Sequence, residues 1–438
     1  MPDHNLFAVT GRPVLHSKSP WMFNEVFGAM NMAAAYVRLA ADTAEEALFL
    51  FRQAGLGGLN VTAPFKHEIM SLLAEVAGEA RQIDGVNTVV NEQGRLKGTN
   101  TDHLGVANAL KAGGITVSDR ACVVLGAGGA GRAAVFGLLQ QGGRVVLVNR
   151  TFEKAAAAAA ALGCRAEPLE HLPEILKSAD ILVSSLPAGV GVVRPEWLRP
   201  GLVVLDANYK SSRLIDTAAG RGCTVIKGEE WLLHQAVPAF HRFTGMPADV
   251  EAMRRGLRRH SWEAKKDTVS LVGFMGSGKS TVAEILARRL GWRLMDADAR
   301  IEAQSGRSIG DIFAREGEAA FRSREKDLLN GILGSPPRHT VIAWGGGIVL
   351  DGQNRDMLKK HSLVVWLLAP PESNLHLIPP GSRPLLDTAD SRQVARQIFF
   401  RRLGLYARSA DLVVNSDARW HSVETIAEKI NDEMDCTF

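Results

Sequence analysis

The chain has 438 residues, 46% of them hydrophobic and 22% charged, with a formal net charge of +4. So apolar a chain with so little net charge is not a disordered one, and its length predicts two to three domains. Four scattered cysteines (Cys122, Cys164, Cys223 and Cys436) without a C-x-x-C exclude a disulfide scaffold and predict a reducing compartment. No dense Lys/Arg block points to nucleic acid, and no apolar run is long enough to span a membrane. The first twenty residues carry Asp3, His4, Arg12 and Lys18 without an apolar centre, so they do not read as a signal peptide and a cytoplasmic location is expected.

From Met1 to about Ser118, strand-like runs at Leu6–Thr10, Ala35–Leu39 and Gly58–Val61 alternate with helical patterns. From Arg120 to about Lys227 the alternation is cleaner. Ala121–Leu125 is followed by a glycine-rich stretch, a helix and Arg144–Val148, with later strands at Ile181–Val183 and Leu202–Leu205. This pattern predicts a doubly wound parallel sheet. Ala155–Ala161 reads as a helix stopped by Gly163. Trp231–His260 is expected to be helical and to return to the first region. After a short polar junction, Glu263–Asp267, a new strand-loop-helix unit begins at Thr268, and α/β alternation continues to the end. The fold class is therefore α/β throughout. A junction without Gly/Ser or Pro runs suggests that the regions on either side sit close together.

The string Gly273-Phe-Met-Gly276-Ser277-Gly278-Lys279-Ser280-Thr281 fits G-x-x-x-x-G-K-[ST]. The strand Val269–Val272 precedes it, and a helix with Val282, Ile285, Leu286 and Leu290 follows. In that setting backbone N–H groups and the helix N-terminus bind phosphates, Lys279 reaches the β/γ-phosphates and Ser280 holds Mg²⁺. The next strand-like run, Trp292–Met295, ends in Asp296-Ala297-Asp298. Two carboxylates at i, i+2 on a strand end are expected to point the same way, one toward a metal-bound water and one toward an acceptor hydroxyl.

With Ser308–Phe313, Gly317-Glu318, Phe321-Arg322, Gly345–Gly347 and Arg383–Leu386, the stretch from Ser270 to about Asp417 resembles shikimate kinase. The resemblance implies a nucleoside-monophosphate-kinase-like P-loop domain over 268–438, with ATP and Mg²⁺. It implies that Asp298 assists attack by the shikimate 3-hydroxyl and that Asp296 lies on the Mg²⁺ water shell. It places Arg322, Gly345, Gly346, Gly347 and Arg402 on shikimate, and Arg383 on ATP phosphate. Ala297 stands where the family usually has Thr, and Asn374–Gly381 lacks an early lid arginine.

Upstream, Gly126-Ala127-Gly128-Gly129-Ala130-Gly131 follows the strand ending at Leu125 and opens a helix. The second strand ends in Asn149-Arg150-Thr151, where an NAD enzyme would carry an acid for the ribose 2′-hydroxyl. A cation and hydrogen-bonding side chains fit a 2′-phosphate better, so NADP is expected, clamped by Arg150 and Lys154. Small polar groups collect at other strand ends: Ser17-Lys18-Ser19-Pro20, Asn60-Val-Thr62-Ala-Pro64-Phe-Lys66, Asn87-Thr88 and Asn100-Thr101-Asp102. Such a set suits a ligand with several hydroxyls, although each alone also makes a turn.

Together with Gly228–Ala236, these segments resemble shikimate dehydrogenase from Leu6 to about Gly245. That resemblance implies a substrate domain over 1–118 plus the returning helices 236–262, a Rossmann-like NADP domain over 119–235, and a linker at 263–267. It makes Lys66 and Asp102 the catalytic pair. Ser17, Ser19, Asn60, Thr62, Asn87, Tyr209 and Gln235 would bind substrate, and Gly228 the cofactor. Asp206-Ala-Asn-Tyr209-Lys-Ser211 departs from the family's D-x-x-Y-x-P at Ser211, and Asp84 replaces a usual Gly.

The two resemblances imply one bifunctional enzyme. It would reduce 3-dehydroshikimate to shikimate with NADPH and then phosphorylate shikimate with ATP. The alternatives are a quinate/shikimate dehydrogenase with an inactive kinase domain and a non-catalytic regulator that senses such ligands. A regulator should have lost Lys66, Asp102, Lys279 or Asp298, and all four are present.

Overall fold

The computed structural model describes residues 5–209, 212–259, 262, 265, 267–377 and 390–437. Arg383, Ser211, part of the lid segment and part of the 263–267 linker lie outside the described residues. The chain divides into two compact units, one from Met1–Ala63 with Arg258–Phe438 and one from Pro64–Leu257. No helix among the described residues is long and apolar enough to cross a membrane.

The first unit is built on parallel strands in the order Arg293–Asp296, Thr340–Ala343, Thr268–Gly273, Leu363–Leu368, Leu412–Asn415, Ala34–Ala40, Asn5–Gly11, Gly58–Val61. Central strands such as Leu363–Leu368 (LVVWLL) are buried at every position, as parallel strands covered on both faces require. The first three expected strands appear, extended by up to one residue at each end. One pairing is not foreseen by the local pattern. Leu412–Val414, near the chain's end, pairs in parallel with Arg38–Ala40.

Buried charges surround that pairing. Arg38 is 1% exposed in the middle of its strand. Its Nε and Nη2 donate to the Ser17 carbonyl at 2.9 and 2.6 Å, and its Nη1 to the Asp411 carbonyl at 3.3 Å. The guanidinium also lies over the rings of Trp21 and Trp262. The Asp411 carboxylate accepts from Lys265 Nζ at 2.8 Å. Nearby, Glu46 accepts from Asn415 Nδ2 (3.0 Å) and Lys429 Nζ (3.2 Å) and lies 2.6 Å from His421 Nε2. Asp42, Glu46 and His421 converge as a cation-binding set would. The Lys429 ammonium, 3.0 Å from Asp42, is the cation that sits among them.

The second unit carries a six-stranded parallel sheet in the order Thr224–Ile226, Val203–Asp206, Ile181–Ser184, Ala121–Leu125, Arg144–Asn149, Arg165–Pro168. The order reverses between Ala121–Leu125 and Ile181–Ser184, where ligand crevices form in such sheets. The alanine-rich helix Phe152–Leu162 ends at Gly163 with φ 78°, as expected of a left-handed stop. The stretch expected to be helical carries the helices Gly228–Thr244 and Val250–Arg259, and His260 lies outside the described residues. Helix Asp102–Ala112 packs on Gly228–Thr244, and Gly105 permits the approach, since a Cβ there would lie 2.7 Å from Trp231. Asp84, the departure from the family's Gly, takes φ 61° at the end of Gly78–Ile83. Asp is among the side chains that tolerate this conformation, and its carboxylate is held by Arg132 and His67.

Burial would raise the Glu46 carboxyl. The His421 hydrogen bond, the Lys429 charge and the Asp42 N–H outweigh it and bring the value down to about 2. A depressed carboxyl stabilises the fold above its ordinary pKa of 4.5, and that stabilisation is lost as pH falls toward 2. Replacing Glu46 with Ala removes the buried carboxylate of this cluster and leaves Lys429 with only the partly exposed Asp42, and should cost about 3 kcal/mol. Urea unfolding at pH 7 measures this loss, and E46A should also flatten the acid limb of stability between pH 4.5 and 2.

Candidate active sites

In the first unit, the loop after strand Thr268–Gly273 leads into helix Lys279–Leu290. Gly276 and Gly278 both sit at φ 79°, where other residues are strained. A Cβ on Gly273 would come within 2.6 Å of the Leu367 carbonyl. The loop is therefore tight, and it ends at a helix N-terminus, which favours anions. Lys279 Nζ donates to the carbonyls of Gly273 and Phe274 at 3.0 and 2.9 Å. Ser277 Oγ, inside the loop, is buried with no hydrogen-bond partner among the described residues. Thr281 lies exposed one turn into the helix.

Ser280 Oγ donates to Asp296 Oδ2 at 2.6 Å. The geometry corrects the expectation of two carboxylates on one strand end. The strand stops at Asp296, whose other oxygen accepts from Ala299 N–H and caps the helix Ala297–Ser305. Asp is a strong N-cap former, so the chain turns helical there and Asp298 belongs to the first helical turn.

Asp298 lines a pocket with Met275, Arg322, Gly345–Gly347 and Arg402. Arg322 stands on helix Ile309–Leu333 and is held by Glu318 (3.0 Å) and Glu325 (2.8 Å). Arg402 Nη1 and Tyr406 Oη both donate to the Gly346 carbonyl, at 3.1 and 2.5 Å. Gly345 and Gly347 leave room for the charged side-chain ends around them. A Cβ on Gly345 would meet Glu325 Oε1 at 2.6 Å and Asp298 Oδ1 at 2.9 Å, and one on Gly347 would strike the Arg322 guanidinium. Sequence reading missed Glu325, although its i+3 spacing from Arg322 on a helix was a usable signal. Burial pushes its carboxyl up to about 7. Arg322 opposes the rise through its charge and hydrogen bond, and Asp298 adds to it.

Ser17, Ser19, Asn60 and Thr62 also belong to this unit. Ser17 and Ser19 lie on the turn between strand Asn5–Gly11 and helix Ser19–Ala29, where Ser19 N–H donates to Ser17 Oγ at 3.4 Å. Asn60 Oδ1 accepts from Tyr36 Oη at 2.6 Å. Gly11 and Thr62 meet so closely that a Cβ on Gly11 would lie 2.3 Å from the Thr62 methyl.

In the second unit, Lys66 Nζ lies 2.6 Å from Asp102 Oδ2, with side chains 20% and 5% exposed. Asp102 is positioned from several sides. Its Oδ1 accepts from Asn87 Nδ2 at 2.8 Å, its N–H donates to Asn100 Oδ1, and its carbonyl accepts from Trp231 Nε1. Asn87 Oδ1 in turn accepts from Thr101 N–H at 2.7 Å. Expected residues therefore meet in one network, and Trp231 is an addition to it. Gln235 Oε1 is buried without a hydrogen-bond partner among the described residues.

The loop 126–131 opens helix Gly129–Gln140 at the C-terminal end of Ala121–Leu125. Gly126 has φ 102°, and a Cβ on Gly131 would lie 1.7 Å from the Gly126 carbonyl oxygen. A Cβ on Gly129 would be 3.7 Å from the Lys66 side chain, so this loop lies beside Lys66. Asn149 Oδ1 accepts from Ala127 N–H at 3.3 Å. Arg150 is exposed just past strand Arg144–Asn149, Thr151 stands at the N-cap position of the next helix without a side-chain cap hydrogen bond, and Lys154 is exposed in its first turn. Gly228 packs on the backbone of Ala207 and Asn208. Tyr209 follows directly, half-buried after strand Val203–Asp206. A cavity of about 540 Å³ opens at the ends of Ile181–Ser184 and Val203–Asp206, bounded by Pro187–Val193. Sequence reading did not single out that loop.

Family models match in chain order. The shikimate dehydrogenase substrate binding domain matches 9–89, shikimate / quinate 5-dehydrogenase 108–224, the shikimate 5′-dehydrogenase C-terminal domain 228–258, and shikimate kinase 275–435. The shikimate dehydrogenase (NADP(+)) of Pyrococcus abyssi is 36% identical over 256 residues, which are 57% of this chain and 96% of that protein. The chain belongs to the shikimate dehydrogenase family. The corresponding enzyme of Haloarcula marismortui is 39% identical over 58% of this chain and 99% of its own. A Thermus thermophilus shikimate 5-dehydrogenase solved with shikimate aligns with TM-score 0.54 at 36% identity, covering 58% of this chain and 98% of that one. A Corynebacterium glutamicum quinate dehydrogenase with NAD aligns with TM-score 0.55 at 27% identity, covering 59% and 99%. The C-terminal part is a shikimate kinase domain, so this shikimate-pathway enzyme carries an NADP-linked dehydrogenase and a kinase in one chain.

The Gly126–Gly131 approach gives a direct test of the dinucleotide loop. Gly131→Ala must push the loop away from the helix and should cost about 1–3 kcal/mol by overpacking. Urea unfolding of the full chain should show the loss, whereas Gly128→Ala, with open space around its Cα, should cost less.

Proposed function

We propose that the dehydrogenase half reduces 3-dehydroshikimate with NADPH and that the kinase half phosphorylates the resulting shikimate at its 3-hydroxyl with ATP and Mg²⁺. In functional terms, residues 1–118 with 236–262 form the substrate domain, 119–235 the NADP domain and 268–438 the kinase. All four cysteines are free thiols, in keeping with the cytoplasmic location this reading assigns.

The observation that carries the first reaction is the Lys66–Asp102 pair, fixed by Asn87, Asn100 and Trp231 beside the glycine loop. The residues present fit NADP(H). Gly131 lets the loop fold tightly onto the Gly126 carbonyl, Gly128 at the helix N-terminus has open space around it, and the strand end at Asn149-Arg150-Thr151 offers a guanidinium where an acid would select NAD. NADPH supplies the hydride. Lys66 delivers the proton to the substrate carbonyl oxygen, and Asp102 orients Lys66 and accepts from a substrate hydroxyl. The family resemblance assigns Ser17, Ser19, Asn60, Thr62, Asn87, Tyr209 and Gln235 to the remaining hydroxyls and the carboxylate. The unmatched Gln235 Oε1 is an acceptor for one of those hydroxyls.

For the second reaction, Ser280 and Asp296 offer two hard oxygen donors beside the P-loop, and that donor set fits Mg²⁺. The ion supplies positive charge to the transferring phosphoryl group. The loop N–H groups and Lys279 bind and orient the phosphates, with Ser277 and Thr281 beside them. Asp298 accepts the proton of the attacking hydroxyl. Arg322 and Arg402 bind the shikimate carboxylate as a planar, charge-assisted pair of donors, and Gly345–Gly347 leave room for the ring. Arg383, outside the described residues, is assigned to ATP phosphate by the family resemblance.

Two measurements test this reading. With 3-dehydroshikimate, NADPH, ATP and Mg²⁺ supplied together, the wild type should accumulate shikimate 3-phosphate by mass. Lys66→Ala should lower NADPH oxidation by about 10²–10⁴-fold and spare the kinase, whereas Asp298→Asn should stop the sequence at shikimate. Retained hydride transfer in K66A would refute the assignment. The second measurement uses Glu325. An incoming carboxylate favours the protonated form of this buried neighbour, so shikimate binding takes up a proton. The kinase KM for shikimate should therefore rise as pH passes upward through about 7, and Glu325→Gln should remove that rise.

A further inference from the structure

The turn that carries Ser17 and Ser19 is gripped by the far end of the chain. Glu433, 3% exposed, stands on the C-terminal helix Val423–Asp435 of the kinase half. Its Oε2 accepts from Val14 N–H at 2.8 Å and from Leu15 N–H at 2.7 Å, and its Oε1 is 3.1 Å from the same Val14 nitrogen. Val14 and Leu15 are fully buried. They link directly to the serines, because the Val14 carbonyl accepts from Ser17 N–H at 2.9 Å. From the other side, Arg38 donates twice to the Ser17 carbonyl and is itself tied to the Asp411 carbonyl, a second group from the kinase half. The Ser17 backbone is thus fixed at both its N–H and its carbonyl, and each hold leads to a kinase residue. Glu433 has no place in the kinase chemistry described above.

We propose that Glu433 is a positioning residue for the dehydrogenase: the kinase half, through this carboxylate, sets the turn that presents Ser17 and Ser19 to the substrate. The inference rests on the dehydrogenase reading above. A buried carboxylate that accepts from two consecutive backbone N–H groups is a strong and directional hold. Without it, two buried N–H groups lose their acceptor and the turn must move to find another. The serines make binding contacts and do not touch the transferred hydride, so the effect belongs in KM.

The test uses the full chain, with shikimate oxidation by NADP⁺ and the kinase reaction measured on the same preparations. Glu433→Ala should raise the dehydrogenase KM for shikimate about tenfold, the effect of losing one such hydrogen bond, with kcat and the KM for NADP⁺ within twofold. Glu433→Gln keeps one acceptor oxygen and should recover part of the loss. It also decides the matter if E433A does not fold. The kinase KM for shikimate and for ATP should stay within twofold in both. This control is informative because the same helix packs against the P-loop helix Lys279–Leu290. An unchanged dehydrogenase KM in both variants, or a parallel fall in both activities, overturns the inference. Absence of shikimate-dependent NADP⁺ reduction in the wild type would instead overturn the functional reading, so the two failures are distinct.

Discussion

A short parallel pairing holds the first unit together: Arg38 with Leu412, Leu39 with Val413 and Ala40 with Val414. Its partners lie far apart in the chain, and Arg38 and Asp411 are 373 positions from each other. Closing so long a loop costs more than a local turn, although the cost grows only slowly with length. Three backbone pairs do not by themselves fix a register. Here the register is also marked by charges that fit in one arrangement, with Arg38 on the Asp411 carbonyl, Lys265 on the Asp411 carboxylate, and Glu46 among Asn415, His421 and Lys429. A slip by one residue would turn these groups to the wrong face of the sheet. Buried ion pairs contribute little net stability over an apolar contact, so their role here is to specify which strands meet and where.

Both nucleotide loops solve one problem with the same means. A buried strand delivers the chain to a turn, glycines remove the side chains that would block phosphate, and a helix begins with free N–H groups. They differ in what the glycines avoid. In the P-loop, Gly273 avoids a carbonyl of the neighbouring strand Leu363–Leu368, so the loop's tightness is set by the sheet. In the dinucleotide loop, Gly131 avoids the carbonyl of Gly126, so tightness is set within the loop itself. The P-loop also carries a lysine, as phosphoryl transfer needs, and the dinucleotide loop carries none, since its phosphates only bind.

Much of this was legible in the sequence because it depends on local patterns. Runs such as Ala121–Leu125 and Arg144–Val148, separated by glycines and a helix, leave little choice but a parallel sheet. The turn at Gly163 and the phosphate loops follow from residue type and spacing. The Asp296–Asp298 geometry was misread because two local rules compete there. Alternation along a strand put both carboxylates on one face, whereas capping ended the strand at the first of them. The pairing of Ala34–Ala40 with Leu412–Asn415 was not legible, since a strand buried along its whole length carries little mark of its neighbour. The one hint was an arginine in the middle of that apolar run. Glu325 and Glu433 were passed over because an isolated glutamate on a helix is ordinarily solvated, and only packing shows that these two are buried.

Buried polar atoms without partners need an explanation in a folded protein, yet they do not alone mark a site. Trp366 Nε1 is such an atom and belongs to the central strand Leu363–Leu368. Ser277 Oγ and Glu325 Oε1 differ from it in what surrounds them. Each lies where a neighbouring glycine excludes a side chain: Gly273 would place a Cβ 2.8 Å from Ser277 Oγ, and Gly345 would place one 2.6 Å from Glu325 Oε1. A methyl group at either position would meet the oxygen at clashing distance, so the glycine lets a polar side chain lie close while its oxygen keeps no hydrogen-bond partner among the described residues. A structural core gains nothing from that combination, whereas a pocket that must admit a polar ligand requires it.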